Sequence, residues 1–203
     1  MGKITQTDEQ VDYAKIMFSH HKAVFRQLDG ISTLDWRNEN GSSEYYVRYV
    51  FDEERCCLYP SGDLGSAVVR LAEHSTLKTL SRYIKMIDYF VGKIECSTDK
   101  YRYDEEIAKE ELKEILFPED VMLSDEEKKE RQDCFEELME QFNNFHGFET
   151  VSQDSDRVLS EAYADYWEWI AGAGQYIAPR IILWLVGLQM AWEQVKNEVA
   201  AND

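Results

Sequence analysis

The chain has 203 residues, 44% hydrophobic and 13% aromatic. That excludes global disorder and is enough to bury a core without disulfide or metal support. Forty Asp and Glu against 22 Lys and Arg leave a formal charge of −18 and a pI near 4.6, a balance that repels nucleic acid and anionic membranes and attracts basic protein surfaces.

In chain order, Thr7-Asp8-Glu9-Gln10 reads as a capping box. Val11, Ala14, Phe18, Phe25 and Leu28 then recur at helical spacing, predicting a first helix of about twenty residues that ends near Asp29-Gly30. The period changes to alternation over 33–39. Asn40-Gly41 signals a hairpin, Glu44 to Phe51 is rich in β-formers, and Arg55 to Tyr59 makes a third strand after the Asp52-Glu53-Glu54 turn. Ser61-Gly62-Asp63-Leu64-Gly65-Ser66 closes the sheet and opens a short helix through Leu71.

Everything after that reads helical. Thr76 caps a helix with Leu77, Leu80, Tyr83, Ile84, Ile87 and Phe90 on one side. After a polar break at Ser97-Thr98-Asp99, a helix runs from Asp104 to Leu116 and stops at Pro118. Ser124 caps a long helix ending near Gly147, with acids in its first turn and Phe135, Leu138, Met139, Phe142 and Phe145 as its stripe. Residues 152–156 form a polar linker, a Trp/Tyr-rich helix spans Asp156 to Ala171, and an apolar helix runs from Ile177 to Val199. The predicted fold is α+β: a small three-stranded antiparallel sheet near the N-terminus packed with helices, then a helical C-terminal half. Residues 1–96 make the α+β part and 97–203 the helical part, within one compact unit.

Cys56, Cys57, Cys96 and Cys134 contain no CxxC pair and read as reduced thiols of a cytosolic protein. The N-terminus has no apolar leader core, and the apolar run from Ile181 to Leu188 is too short to cross a membrane. A cytoplasmic location is therefore expected.

No motif points to a cofactor, a metal or catalysis. His20-His21 project about 100° apart on a helix, and neither HExxH nor H-x₃-H occurs. Ser61 to Ser66 lacks the lysine of a phosphate-binding loop, although its amides leave a small hydrolase-like site there as the competing enzyme reading. Asp154-x-Asp156 lacks the glycine and glutamate of a calcium loop. Glu161 and Asp165 lie four apart among aromatics, a spacing that an exposed helix side explains equally well.

The acidic helices carry the functional expectation. Between Asp104 and Glu140 there are 16 acidic and 5 basic residues. Glu126, Glu130, Asp133, Glu137 and Glu140 step by three or four and form a line on the helix after Ser124, with Asp104, Glu105 and Glu106 beside them. Like charges at that spacing cost a few tenths of a kcal/mol per pair, so the row forgoes stability that interleaved lysines would supply. A solvated outer face is the ordinary account of such a row. The functional account is a partner-binding ridge that occupies a basic channel as nucleic acid does. The apolar final helix, with Ile181, Leu185, Leu188 and Trp192 on one side and Ile182, Val186 and Met190 around it, is expected either to be central in the core or to be partly buried by a second copy, a homodimer.

Tyr45 to Phe51, with Leu58-Tyr59-Pro60-Ser61-Gly62-Asp63-Leu64-Gly65, resembles segments of uncharacterised prophage and plasmid proteins of gut bacteria. Small acidic proteins of such elements resemble inhibitors of host defence. The resemblance implies an anti-CRISPR or anti-restriction protein that presents an acidic, nucleic-acid-mimicking helical surface to a nucleic-acid-binding effector, without binding nucleic acid itself.

Overall fold

The computed structural model describes residues 2–97 and 99–199. They fold as two compact units, Met1–Lys100 with Ile177–Asp203, and Tyr101–Tyr176. The acidic helices lie in the second unit, and the apolar C-terminal helix belongs to the first, with the sheet.

The first unit is built on a six-stranded antiparallel sheet in the order β1 (His21–Leu28), β2 (Ile31–Asn38), β3 (Val47–Asp52), β4 (Cys57–Gly62), β5 (Ala67–Arg70) and β6 (Ile94–Ser97). Neighbouring strands are therefore consecutive in sequence, a meander. Alternate residues face one side. Phe25, Leu34, Tyr49 and Pro60 stand in register across four strands. Leu34, Trp36, Val47, Tyr49, Phe51, Leu58 and Val69 are buried there. Against them pack α1 (Gly2–Met17), α2 (Leu77–Leu80), a 3-10 turn at Tyr83–Lys85, α3 (Ile87–Gly92) and α8 (Pro179–Val199). Every residue from Ile181 to Val186 of α8 is buried, so its lack of a polar face reflects a central place in this unit's core.

This corrects the expected three-stranded sheet in two ways: the sheet has six strands and a further two-stranded sheet exists, and helices are spread through the chain. The first helix stops at Met17, and Thr7 falls inside it rather than at its cap. Residues 21–28 form β1 instead. Val11, Ala14 and Phe18 do follow a helical period, but Phe25 and Leu28 extend it only by coincidence of spacing. Asp29-Gly30 is the tight turn of a β1–β2 hairpin, with Gly30 at φ 69° and Leu28 opposite Ile31. An Asp-Gly pair serves a hairpin turn as well as a helix end. The segment after Ser66 is β5, not a helix. Ser61 and Gly62 therefore end β4, and residues 63–66 are the β4–β5 connection, where the Asp63 carboxylate accepts from Tyr45 N–H at 2.9 Å.

The second unit contains β7 (Tyr101–Tyr103), α4 (Glu105–Leu116), α5 (Asp125–Gln141), α6 (Gln153–Ala162), α7 (Tyr166–Trp169), a 3-10 turn at Ile170–Gly172 and β8 (Gln175–Ile177), with β7 and β8 paired. Its own core comprises Ala108, Leu112, Leu116, Phe135, Leu138, Phe148, Val158 and Leu159, among others. The predicted cap at Ser124 is present, and Asp104, expected only as the start of a helix, caps α4. Asp104 accepts from the amides of Glu106 and Ile107, and Ser124 forms a capping box with Glu127. Each such cap stabilises its helix by about 1 kcal/mol. The long helix ends at Gln141 rather than near Gly147. There the Asn143 side chain accepts from Phe145 N–H at 2.7 Å and its carbonyl accepts from Gly147 N–H at 2.7 Å, a local alternative to the helical ladder. The polar stretch taken for a linker starts α6, capped by Ser152.

Candidate functional site

Charge divides unequally between the units. Residues 101–176 hold 22 Asp and Glu against 7 Lys and Arg, or 7 − 22 = −15 of the total −18. The first unit is nearly balanced. The strongest local field of the molecule therefore belongs to the second unit.

The five ridge residues do share one side of α5, but that side borders α6. Glu130 meets Arg157 at 3.2 Å. Glu137 accepts from the Ser152 and Ser155 hydroxyls at 3.1 and 2.8 Å. These bonds hold its carboxyl below the usual range, as expected where donors favour the charged form. Two of the five thus fasten α6 to α5. Glu126, Asp133 and Glu140 remain exposed. They are seven residues apart, about 10 Å along the axis, so the free carboxylates do not repeat at the finer spacing of the full line.

The residues beside α4 divide similarly. Asp104 is the helix cap, Glu106 approaches Lys109 at 3.6 Å, and Glu105 is exposed. Further exposed acids complete the surface: Asp125 and Glu136 on α5, Glu110 and Glu114 on α4, and Asp165 and Glu168 around α7. Periodicity on α5 alone leaves these out, although the unit's composition already contains them.

Aromatic side chains stand among these acids. Trp167 is 62% exposed and Tyr163 is 50% exposed, while Tyr166 between them is buried and its hydroxyl donates to the Asp156 carboxylate. That bond, with burial, pushes the Tyr166 phenol up to about 12. The helix start that suggested half a calcium loop is therefore tied to α7 through Asp156. Phe145 is also exposed, with the Arg102 guanidinium 5.9 Å from its ring centroid.

The remaining candidates are accounted for by structural contacts. Glu161 pairs with Arg157 at 3.3 Å and is exposed, as is Asp165, so no buried carboxylate dyad forms. His20 lies 3.8 Å from Glu39 on the surface, whereas His21 is buried between Phe18 and Trp36. Among the described residues no group of three or more His, Cys, Asp or Glu converges as a metal site, and no helix is long and apolar enough to cross a membrane. The four cysteines are unpaired. No family model matches the chain, and no curated protein or solved structure matches it.

Proposed function

We propose that residues 101–176 form a docking module for a basic protein surface, and that the chain acts by occupying such a surface on a nucleic-acid-binding defence complex, as an anti-CRISPR or anti-restriction inhibitor. The supporting observation is the gathering of −15 in this unit, with Glu126, Asp133, Glu136 and Glu140 exposed on one helix. A field of that strength raises the encounter rate with a cationic channel and falls off with salt. Specific attachment needs more than charge. Trp167 and Tyr163 supply exposed aromatic area of the kind that dominates protein interfaces. What is mimicked is charge density rather than phosphate spacing, since Glu130 and Glu137 are committed to α6.

The test is capture of the partner from the native cell, followed by binding and inhibition assays with two variants. Changing Glu126, Asp133, Glu136 and Glu140 together to lysine is expected to lower the association rate at least tenfold and flatten its salt dependence. Trp167→Ala is expected to speed dissociation while leaving the association rate near its original value. Inhibition that survives the four reversals would rule out the acidic surface.

A further inference from the structure

The eight residues joining α4 to α5, Phe117 to Ser124, combine two features on one short stretch. The first is a knob. Met122 is fully exposed and Val121 is 48% exposed, directly after the exposed acids Glu119 and Asp120. The second is a groove of about 500 Å³, lined by Phe117, Pro118, Val121 and Leu123 with Lys128 and Lys129 at its side. A fully exposed methionine beside an apolar groove marks an interaction surface rather than ordinary solvent-facing chain.

The lysines indicate what the groove receives. Among the described residues of the second unit, every other cation has a contact. Lys109 and Arg157 meet carboxylates, Lys113 lies over Phe135, Arg131 donates to the Leu116 carbonyl, and Arg102 faces Phe145. Among the described residues Lys128 and Lys129 form no ion pair, although their unit carries 22 acids. The occupant that matches an apolar floor flanked by two free ammonium groups is a short segment with adjacent carboxylates and an apolar tip. Glu119-Asp120-Val121-Met122 of another copy has that composition in that order.

We propose that two copies of this chain associate about a two-fold axis through this connection. Met122 of each copy enters the groove of the other, and Glu119 and Asp120 of each lie against Lys128 and Lys129 of the other. A two-fold interface requires both complementary halves on the same patch, and here they lie within thirteen residues, 117–129. The contact is small, so the dimer is weak and concentration-dependent.

Sedimentation equilibrium of the full chain over a wide concentration range tests it. The expected result is a reversible monomer–dimer equilibrium for the unchanged chain. Met122→Glu should weaken it at least tenfold. Lys128→Glu with Lys129→Glu should yield a monomer, and so should Glu119→Lys with Asp120→Lys, because each double variant faces itself with like charges. Mixing these two double variants should restore a dimer, since each then offers the charge the other lacks. All five side chains are on the surface or at the groove rim, and circular dichroism checks that helicity is kept. A monomer at every concentration overturns the proposal, as does a dimer that persists in either double variant alone or a mixture that stays monomeric. A monomer that instead binds a synthetic peptide with the Glu119–Met122 sequence would reassign the groove to another protein's segment and also overturn it.

Discussion

At His21 the sheet buries an ionisable ring, 3% exposed, whose two nitrogens have no hydrogen-bond partner among the described residues. The Phe18 ring meets it edge-on at 4.9 Å and Trp36 lies 5.6 Å away. Burial lowers the pKa of the imidazole, and the nearby backbone of Glu44 and Tyr45 pulls the other way less strongly. The unfolded chain takes up this proton near pH 6.5, the folded chain only at lower pH. Stability present above about pH 6.5 is therefore lost as the pH falls through that value and on through the folded-state pKa. His21→Phe keeps a flat apolar-packed ring and removes the titration, so its urea midpoint should fall less between about pH 7 and about pH 5 than that of the unchanged chain. Equal losses in both proteins would show that other groups set the acid limit. At Asp35 it is the charged form that the fold favours. Hydrogen bonds from Arg48, at 2.7 and 3.0 Å, and from Tyr46, at 2.8 Å, hold its carboxyl below the usual range against the effect of burial. Asp35→Ala leaves those donors without an acceptor and should cost about 2 kcal/mol in denaturant unfolding.

At the scale of elements, α8 comes close against the sheet at Gly187. A Cβ there would lie 2.7 Å from the Tyr49 hydroxyl and 3.2 Å from Trp36 Cδ1. That hydroxyl donates to the Trp184 carbonyl at 2.9 Å, one turn earlier on α8. Helix propensity by itself predicts that Gly187→Ala stabilises by about 1 kcal/mol. The close approach reverses the sign. Pushing α8 off Tyr49 should give a net loss of about 1–3 kcal/mol, as overpacking does, measured by urea unfolding. A stabilised variant would show that the helix can shift without cost. A second link ties α8 to the edge strand. The Gln194 amide accepts from Ala23 N–H at 3.0 Å and donates to the His21 carbonyl at 2.9 Å. One side chain thereby stands in for a missing neighbouring strand beside β1 and covers part of an exposed edge.

Over the whole molecule, the two cores are separate in composition, and so is the charge. Self-repulsion is greatest where −15 is held by 76 residues, and added salt screens it. Amide exchange compared at low and high salt should show protection rising more in α4, α5 and α6 than in β2, β3 and α8. An equal change in both sets would mean that the carboxylates of the second unit are already compensated locally, as Glu130 and Glu106 are by Arg157 and Lys109.

What was legible in the chain itself follows from locality. Thr76 and Ser124 cap the helices they were expected to cap, because a cap depends on residues three apart in sequence. The strand character of β2 showed in alternation and that of β3 in its Tyr- and Val-rich run. The acidic bias of the mid-chain helices was plain from composition. Other features depended on partners distant in sequence. Residues 21–28 suit either a helix or a strand, and pairing with β2 decided for the strand. β6 is four residues with little pattern, and exists because β5 offers it an edge. α8 is apolar on all sides, and only packing shows that residues 181–186 are covered by the chain's own sheet and helices. The row on α5 was readable as a row, but whether each carboxylate faces water, Arg157 or the serines opening α6 was set by where α6 packs. Sequence determined charge, caps and periodicity, which act over a few residues. Tertiary structure decided strand number, the place of α8 and which acids stay free, because those depend on which distant surfaces exclude water from one another.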